Sequence, residues 1–175
     1  MLLYLFALED AGEELIPGNR ISAGVQYFPA RAPYVNADGT MTAEEAQREH
    51  QKQWKRSGLL LSNEDSLNAM DPSEKLDSLC CTRKKDGSIT GDLADRMQLG
   101  VLKDYIRKLL SDMVTQIASG EVTPNPYTRG TSHDACSFCP YGAVCRKDTV
   151  QGRRNYKTMT AERFWDEIGK EDAHG

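Results

Sequence analysis

Between Leu93 and Ser119 the apolar residues Leu102, Tyr105, Ile106, Leu109, Met113 and Ile117 recur every three to four positions. That spacing puts them on one stripe of an α-helix, and Gly120 supplies a C-terminal stop. A helix of this length needs something to bury its stripe against. The core is therefore expected to lie along it, with the stripe residues structural rather than catalytic. The 175 residues suffice for one ordinary domain around one core.

The rest of the chain reads as shorter elements. Leu2 to Leu8 continues as a helix that Glu9, Asp10 and Gly12 bring to an end. Ile21 to Pro29 carries the β-formers Val25, Tyr27 and Phe28 and reads as a strand. Thr42 and Glu45 form a capping box, which predicts a charged surface helix to about Trp54, ended by Gly58. Leu59 to Leu61 reads as an edge strand, Ser62 to Asp77 as a short helix and polar loop, and Leu79 to Thr82 as a strand entering a turn. Val122 to Gly130, with two prolines, is an extended connection. Ala161 to Ile168 is predicted as a closing helix with Phe164, Trp165 and Ile168 on one side, and the last seven residues are expected to fray. Such a mixture is an α+β fold.

Formal net charge is −4, so the chain as a whole is no attractor for phosphates. The charge is uneven, however. Between Pro126 and Thr158 stand Arg129, Arg146, Lys147, Arg153, Arg154 and Lys157 against Asp134 and Asp148, a local +4 that leaves −8 elsewhere. A basic segment in an acidic chain suits phosphate contact or simply a solvated face. The apolar start, Met1 to Leu8, is too short to span a bilayer and lacks a basic leader and a cleavage site. It reads as the middle of a buried helix, and a cytoplasmic protein without membrane association is expected.

Five cysteines, an odd number, argue against a disulfide framework. Three of them, Cys136, Cys139 and Cys145, fall within ten residues. Thiolates so spaced across consecutive tight turns can converge on a soft metal or an iron–sulfur cluster. Either normally takes four ligands. His133 is the nearest local candidate for the fourth and would make a zinc site. Cys80 and Cys81 are others, although small buried strand cysteines are common. A ligand outside the chain is the remaining alternative.

The run Asn125-Pro126-Tyr127-Thr128-Arg129-Gly130, followed by Ala135-Cys136-Ser137-Phe138-Cys139-Pro140-Tyr141-Gly142-Ala143-Val144-Cys145, closely resembles the end of the AddB subunit family of bacterial AddAB helicase–nucleases. The C-x2-C-P-Y-x3-C pattern is shared with related iron–sulfur nucleases of the PD-(D/E)XK superfamily. Gly58-Leu59-Leu60-Leu61 followed by Ala69-Met70-Asp71, and the long helix into Gly120-Glu121-Val122, extend the resemblance over most of the chain.

The resemblance implies the C-terminal portion of a restriction-endonuclease-like nuclease domain. In that family an acidic residue and an Asp-Tyr-Lys motif hold Mg²⁺ and activate water. A helix with a Gln-x3-Tyr pattern follows. Tyr4 matches its tyrosine, the glutamine would fall one residue before Met1, and no Asp-Tyr-Lys occurs in the chain. Met1 therefore reads as an internal methionine of a longer protein, and the chain alone is expected to be inactive. The family's [4Fe–4S] cluster uses four cysteines, three matching Cys136, Cys139 and Cys145 and one far upstream. DNA and an AddA-type helicase–nuclease subunit are the implied partners in double-strand break repair, with Arg146, Arg153 and Arg154 near the DNA path.

The expected organisation is 1–127 nuclease-like, 128–150 cysteine loop, and 151–175 basic linker and terminal helix. Two other readings stand beside this one. The first is a non-enzymatic zinc module using Cys136, Cys139, Cys145 and His133 or Cys80, contacting nucleic acid or protein. The second is an independent nuclease using Asp92, Asp95, Glu44 and Glu45, although Glu44 and Glu45 suit a helix N-terminus and Asp92 a helix cap. An apolar face around Leu2, Leu5 and Phe6 is expected to be exposed and to favour a non-native homodimer.

Overall fold

The structure, a computed structural model, describes residues 1–18, 20–31, 34–35, 39–129, 133–145, 154–155 and 158–172. Its elements in chain order are α1 (Leu2–Ala11), closed by a 3-10 turn at Gly12–Glu14, β1 (Gly24–Tyr27), α2 (Ala43–Gln53), β2 (Ser57–Leu61), α3 (Glu64–Met70), β3 (Cys81–Arg83), β4 (Ile89–Gly91), β5 (Leu93–Ala94), α4 (Arg96–Ala118), β6 (Tyr127–Arg129), β7 (His133–Asp134), α5 (Gly142–Cys145), β8 (Arg154–Asn155) and α6 (Ala161–Asp172). The fold is α+β. The chain forms two compact units, Met1–Lys103 and Asp104–Gly175.

Helix starts follow local chemistry. Glu45 N donates to Thr42 Oγ1 at 3.3 Å and Thr42 N donates to Glu45 Oε2 at 2.9 Å, the reciprocal box that the sequence predicts for α2. The same device opens α4. Gln98 N donates to Asp95 Oδ1 at 2.8 Å and Asp95 N donates to Gln98 Oε1 at 2.9 Å. The cap is thus Asp95, not Asp92, and α4 begins after the expected Leu93. Leu93 and Ala94 are held instead as β5, parallel to Leu60 and Leu61.

In the first unit the sheet order is β1-β2-β5. The strand at Leu59 to Leu61 is therefore central, where an edge was expected. Its backbone is bonded on both sides: Leu60 N donates to Asp92 O at 3.1 Å and Leu61 N to Ala23 O at 3.0 Å. Strands β1 and β2 run antiparallel with Gln26 opposite Gly58. Gly58 has φ +152°, and a Cβ there would lie 2.1 Å from Val25 O, so only glycine lets the strands approach this closely.

The buried cluster of this unit is Leu60, Leu67, Leu76, Leu79, Cys80 and Cys81, with Met70, Ile89 and Leu93 packed against it. Each fully buried leucine contributes about 1.5–3 kcal/mol relative to exposure. Leu76 is completely buried at φ 57°, a left-handed conformation a leucine keeps only when its surroundings hold it. Asp71 organises this loop, accepting from Ser73 N and Ser78 N at 2.9 Å each.

The core does not lie along the long helix as expected. Leu99 and Leu102 at its start are buried, whereas Met113 is 47% and Ile117 76% exposed. The apolar stripe is present throughout, but its fully buried members are confined to the first two turns. The expected exposed face of α1 is also corrected. Phe6 is buried, with Leu2 and Leu5 half-buried, while Leu3, Tyr4 and Leu8 face outward. Lys103 explains the orientation. It pairs with Asp10 and Glu9 and places its ammonium 5.9 Å from the Phe6 ring centroid, fixing that side of α1 inward.

In the second unit β6 is flanked by antiparallel β7 and parallel β8. Helix α6 buries Ile168 and sets Phe164 against Trp165 with ring centroids 5.2 Å apart, as the pattern predicted. It continues to Asp172, beyond the expected fraying point. Arg163 N donates to Thr160 Oγ1, and Arg163 pairs with Glu167 one turn on, both of which favour the helix. Among the described residues no helix is long and apolar enough to cross a membrane.

Candidate functional site

The cysteine loop is launched by the β6–β7 pair, in which Thr128 lies opposite Asp134 and Arg129 opposite His133. Ala135 N returns to Tyr127 O at 3.2 Å. Asp134 then caps the loop, its Oδ1 accepting Cys136 N at 2.7 Å. Ser137 N donates to Asp134 O at 3.0 Å and Cys139 N to Cys136 O at 3.1 Å, two successive tight turns. After Pro140, Cys145 N donates to Tyr141 O at 2.9 Å to close α5. The hydrogen bonding thus places Cys136 and Cys139 at the two ends of one turn, and Cys145 at the end of the next.

Cys136 is half-buried, and Cys139 and Cys145 are exposed; none of the five cysteines is in a disulfide. Phe138 and Val144 stand almost wholly exposed among them. Among the described residues, no three His, Cys, Asp or Glu side chains converge as a metal-holding group. The donor set fits a soft metal or cluster in kind, being all sulfur and accessible, and falls one short of four in number. His133 lies in β7, and its side chain is outside what the structure describes. Cys80 and Cys81 are buried in the first unit's core, and that burial raises both thiol pKa values. Cys80 Sγ also donates to Asp92 O at 3.7 Å.

Of the basic residues singled out, Arg146 and Arg153 lie outside the described residues. Arg154 sits in β8 with its guanidinium 4.0 Å from the Tyr127 ring centroid and its Nε donating to Asn125 O at 2.9 Å. It borders an open polar cleft with Gln116, Ser119, Glu121, Thr123 and Asn125. Tyr4 is exposed on the outer side of α1.

The carboxylates proposed for an independent nuclease do not assemble. Glu45 and Asp95 are helix caps, and Glu44 lies 3.8 Å from Arg48 one turn on. They do not fit a Mg²⁺ site. Asp71, which periodicity does not single out, is the carboxyl with the most strongly altered acidity among the described residues. Burial raises its pKa, but hydrogen bonds from Ser78 and Ser73 outweigh that and leave it at about 2. Its position two residues before Ser73 was the available signal, since Asp-x-Ser is an Asx-turn pattern.

Known proteins are similar to this chain in sequence. The ATP-dependent helicase/deoxyribonuclease subunit of Oceanobacillus iheyensis is 34% identical over a match covering 90% of this chain and 14% of the relative. The subunit of the same name in Moorella thermoacetica is 35% identical, again over 90% of this chain and 14% of the relative. Its counterpart in Symbiobacterium thermophilum is 30% identical over 100% of this chain and 15% of the relative. The chain therefore spans about one-seventh of the length of the curated relatives it matches. The profile of the PD-(D/E)XK nuclease superfamily matches residues 1–146, from α1 through the cysteine loop. The chain belongs to the PD-(D/E)XK nuclease superfamily.

Proposed function

We propose that this chain is the C-terminal segment of the nuclease domain of an AddB-type subunit, working with an AddA-type helicase–nuclease partner on DNA in double-strand break repair in the cytoplasm. The observation that carries the reading is the continuous superfamily match over 1–146, combined with relatives whose names specify a helicase/deoxyribonuclease subunit. The parent reaction is hydrolysis of DNA phosphodiesters with a divalent metal, coupled to ATP-driven unwinding. The chain contains no Asp-Tyr-Lys run, and its carboxylates Glu45, Asp95 and Asp71 are engaged as caps and clamps. No metal-dependent step is therefore assigned to its residues, and cleavage by the chain alone is expected to be absent.

Its own contribution is structural and positional. Cys136, Cys139 and Cys145 supply three thiolates of a [4Fe–4S] cluster that staples the loop to the start of the nuclease domain. By the resemblance the fourth thiolate precedes the catalytic residues, and this chain has no cysteine before Cys80. Arg154, braced on Tyr127, together with Arg146 and Arg153, offers positive charge to the DNA backbone.

Anaerobic purification with metal and sulfide analysis and an absorption spectrum tests this reading. Little bound metal in this chain, with iron and sulfide acquired once the upstream region is joined to it, is the expected result. Stoichiometric zinc would move the assignment to a colourless zinc module. Mg²⁺-dependent DNA cleavage by the purified chain, absent from a mock purification, would overturn the expected inactivity.

A further inference from the structure

We propose that Phe28 and Trp54 form a stacking site for the unpaired bases of single-stranded DNA, a site that rests on the nuclease-subunit reading and adds a strand contact to it. The two rings lie with centroids 5.5 Å apart and planes tilted by 31°. Phe28 nevertheless remains 61% exposed, and Tyr27 beside it 54%. Large aromatic faces left to water are unfavourable unless something covers them in use.

The surroundings define the occupant. The Arg56 guanidinium lies 5.8 Å from the Phe28 ring centroid. Arg48 and Lys52 are paired along α2 with Glu44 and Glu49, so the cations that flank Trp54 and are held by neutral partners are Lys55, on Thr82 Oγ1, and Arg56, on Gln26 Oε1. His50 is also part of the cluster, with its ring 5.9 Å from Trp54 and its Nδ1 accepting from Trp54 Nε1 at 3.3 Å. Two carboxylates share a pocket with Trp54: Asp71, engaged by Ser73 and Ser78, and the exposed Asp77, so the strand's phosphates are placed on the Lys55 and Arg56 side of the rings. Gln51, Gln53 and Ser57, rather than aliphatic residues, lie between and beside the cations. A protein-docking patch would centre on a desolvated apolar core, whereas aromatic rings flanked by Lys55 and Arg56 suit bases that stack while phosphates pair with those two cations. A duplex hides its base faces, so an unpaired strand is the ligand selected.

The test uses the Trp165→Phe chain, in which Trp54 is the remaining tryptophan. Its fluorescence is followed on titration with an oligothymidylate of about a dozen nucleotides, the span of one such groove, and with a duplex of equal length. Expected are quenching by the single strand, weaker binding of the duplex, and a loss of about 5- to 30-fold in single-strand affinity for Phe28→Ala. Trp54→Phe should bind within about twofold of the parent and Trp54→Leu should not, since either ring stacks and leucine does not. These two are read by anisotropy of labelled strand, with circular dichroism confirming the fold.

If the strand binds but Phe28→Ala and Trp54→Leu leave affinity unchanged, the stacking site is wrong and the nuclease-subunit reading stands. Loss of binding in Arg154→Ala alone would assign the contact to the β8 surface instead. If no strand binds at all, the stacking site falls together with DNA contact by this chain. A change in sedimentation for Phe28→Ala, with strand affinity unaltered, would make the patch a protein contact and likewise overturn the proposal.

Discussion

A single carboxylate oxygen of Asp71 accepts both the backbone N–H of Ser78, at 2.9 Å, and its hydroxyl, at 2.6 Å. With the other oxygen on Ser73 N at 2.9 Å, one side chain closes the loop that carries Leu76 and Leu79 into the core.

That closure makes the fold sensitive to acid. The Asp71 carboxyl falls from an ordinary 3.8 to about 2, so the folded chain binds this proton less readily than the unfolded chain. Its stabilisation is complete above about pH 4 and disappears as pH falls through about 2. Asp71→Ala should cost about 1–3 kcal/mol at neutral pH and flatten this part of the stability profile. Urea unfolding at a series of pH values measures both, and parallel profiles for the two proteins would contradict the clamp.

Gly58 should not tolerate a side chain. Its Cβ would sit 2.1 Å from Val25 O, against a neighbouring strand and at φ +152°. Gly58→Ala is expected to cost about 2 kcal/mol or more from overpacking and strain together. Gly87 has positive φ but nothing within 4 Å, so Gly87→Ala bears the backbone term only, about 1 kcal/mol. Thermal melts of the pair give the difference, and equal losses would count against the close approach of β1 and β2.

The two ends of α4 should respond differently to the same kind of change. Leu102 is buried and Ile117 largely exposed. Leu102→Ala should destabilise by about 2–5 kcal/mol, and Ile117→Ala by no more than about 0.5 kcal/mol. A comparable loss at Ile117, read by urea unfolding, would show that the C-terminal half of the helix is buried in solution.

Thiol chemistry should divide the cysteines. Cys139 and Cys145 are exposed, and Cys80 and Cys81 are buried with thiols held protonated by that burial. Iodoacetamide at neutral pH should label Cys139 and Cys145 first, and Cys80 and Cys81 only in denaturant. Peptide mass spectrometry reads the order. Early labelling of Cys80 would mean that the β3 edge opens readily.

Much of the secondary structure was legible locally. The box of Thr42 and Glu45, the stripe of α4 and the spacing of Phe164, Trp165 and Ile168 each specify an element from neighbouring residues, because capping and helical periodicity act over one or two turns. The spacing of Cys136, Cys139 and Cys145 raises the expectation of a soft-ligand site from ten residues alone; the structure adds the tight turns that carry them and brings no metal-holding group together among the described residues. Other features depended on distant parts of the chain. Leu93 and Ala94 have helical neighbours but pair with Leu60 and Leu61, since a parallel ladder forms only when β2 is already beside them. Leu59 to Leu61 is central for the same reason. Which of two apolar stripes on α1 faces inward was set by Lys103, almost a hundred residues away in sequence. The juxtaposition of Phe28 with Trp54 arises only when β1 and the end of α2 meet. Helices and turns thus follow from interactions between near neighbours in the chain. Which apolar faces are buried, and which aromatic rings stand together, was settled by packing, because burial depends on what else the folded chain brings to the same place.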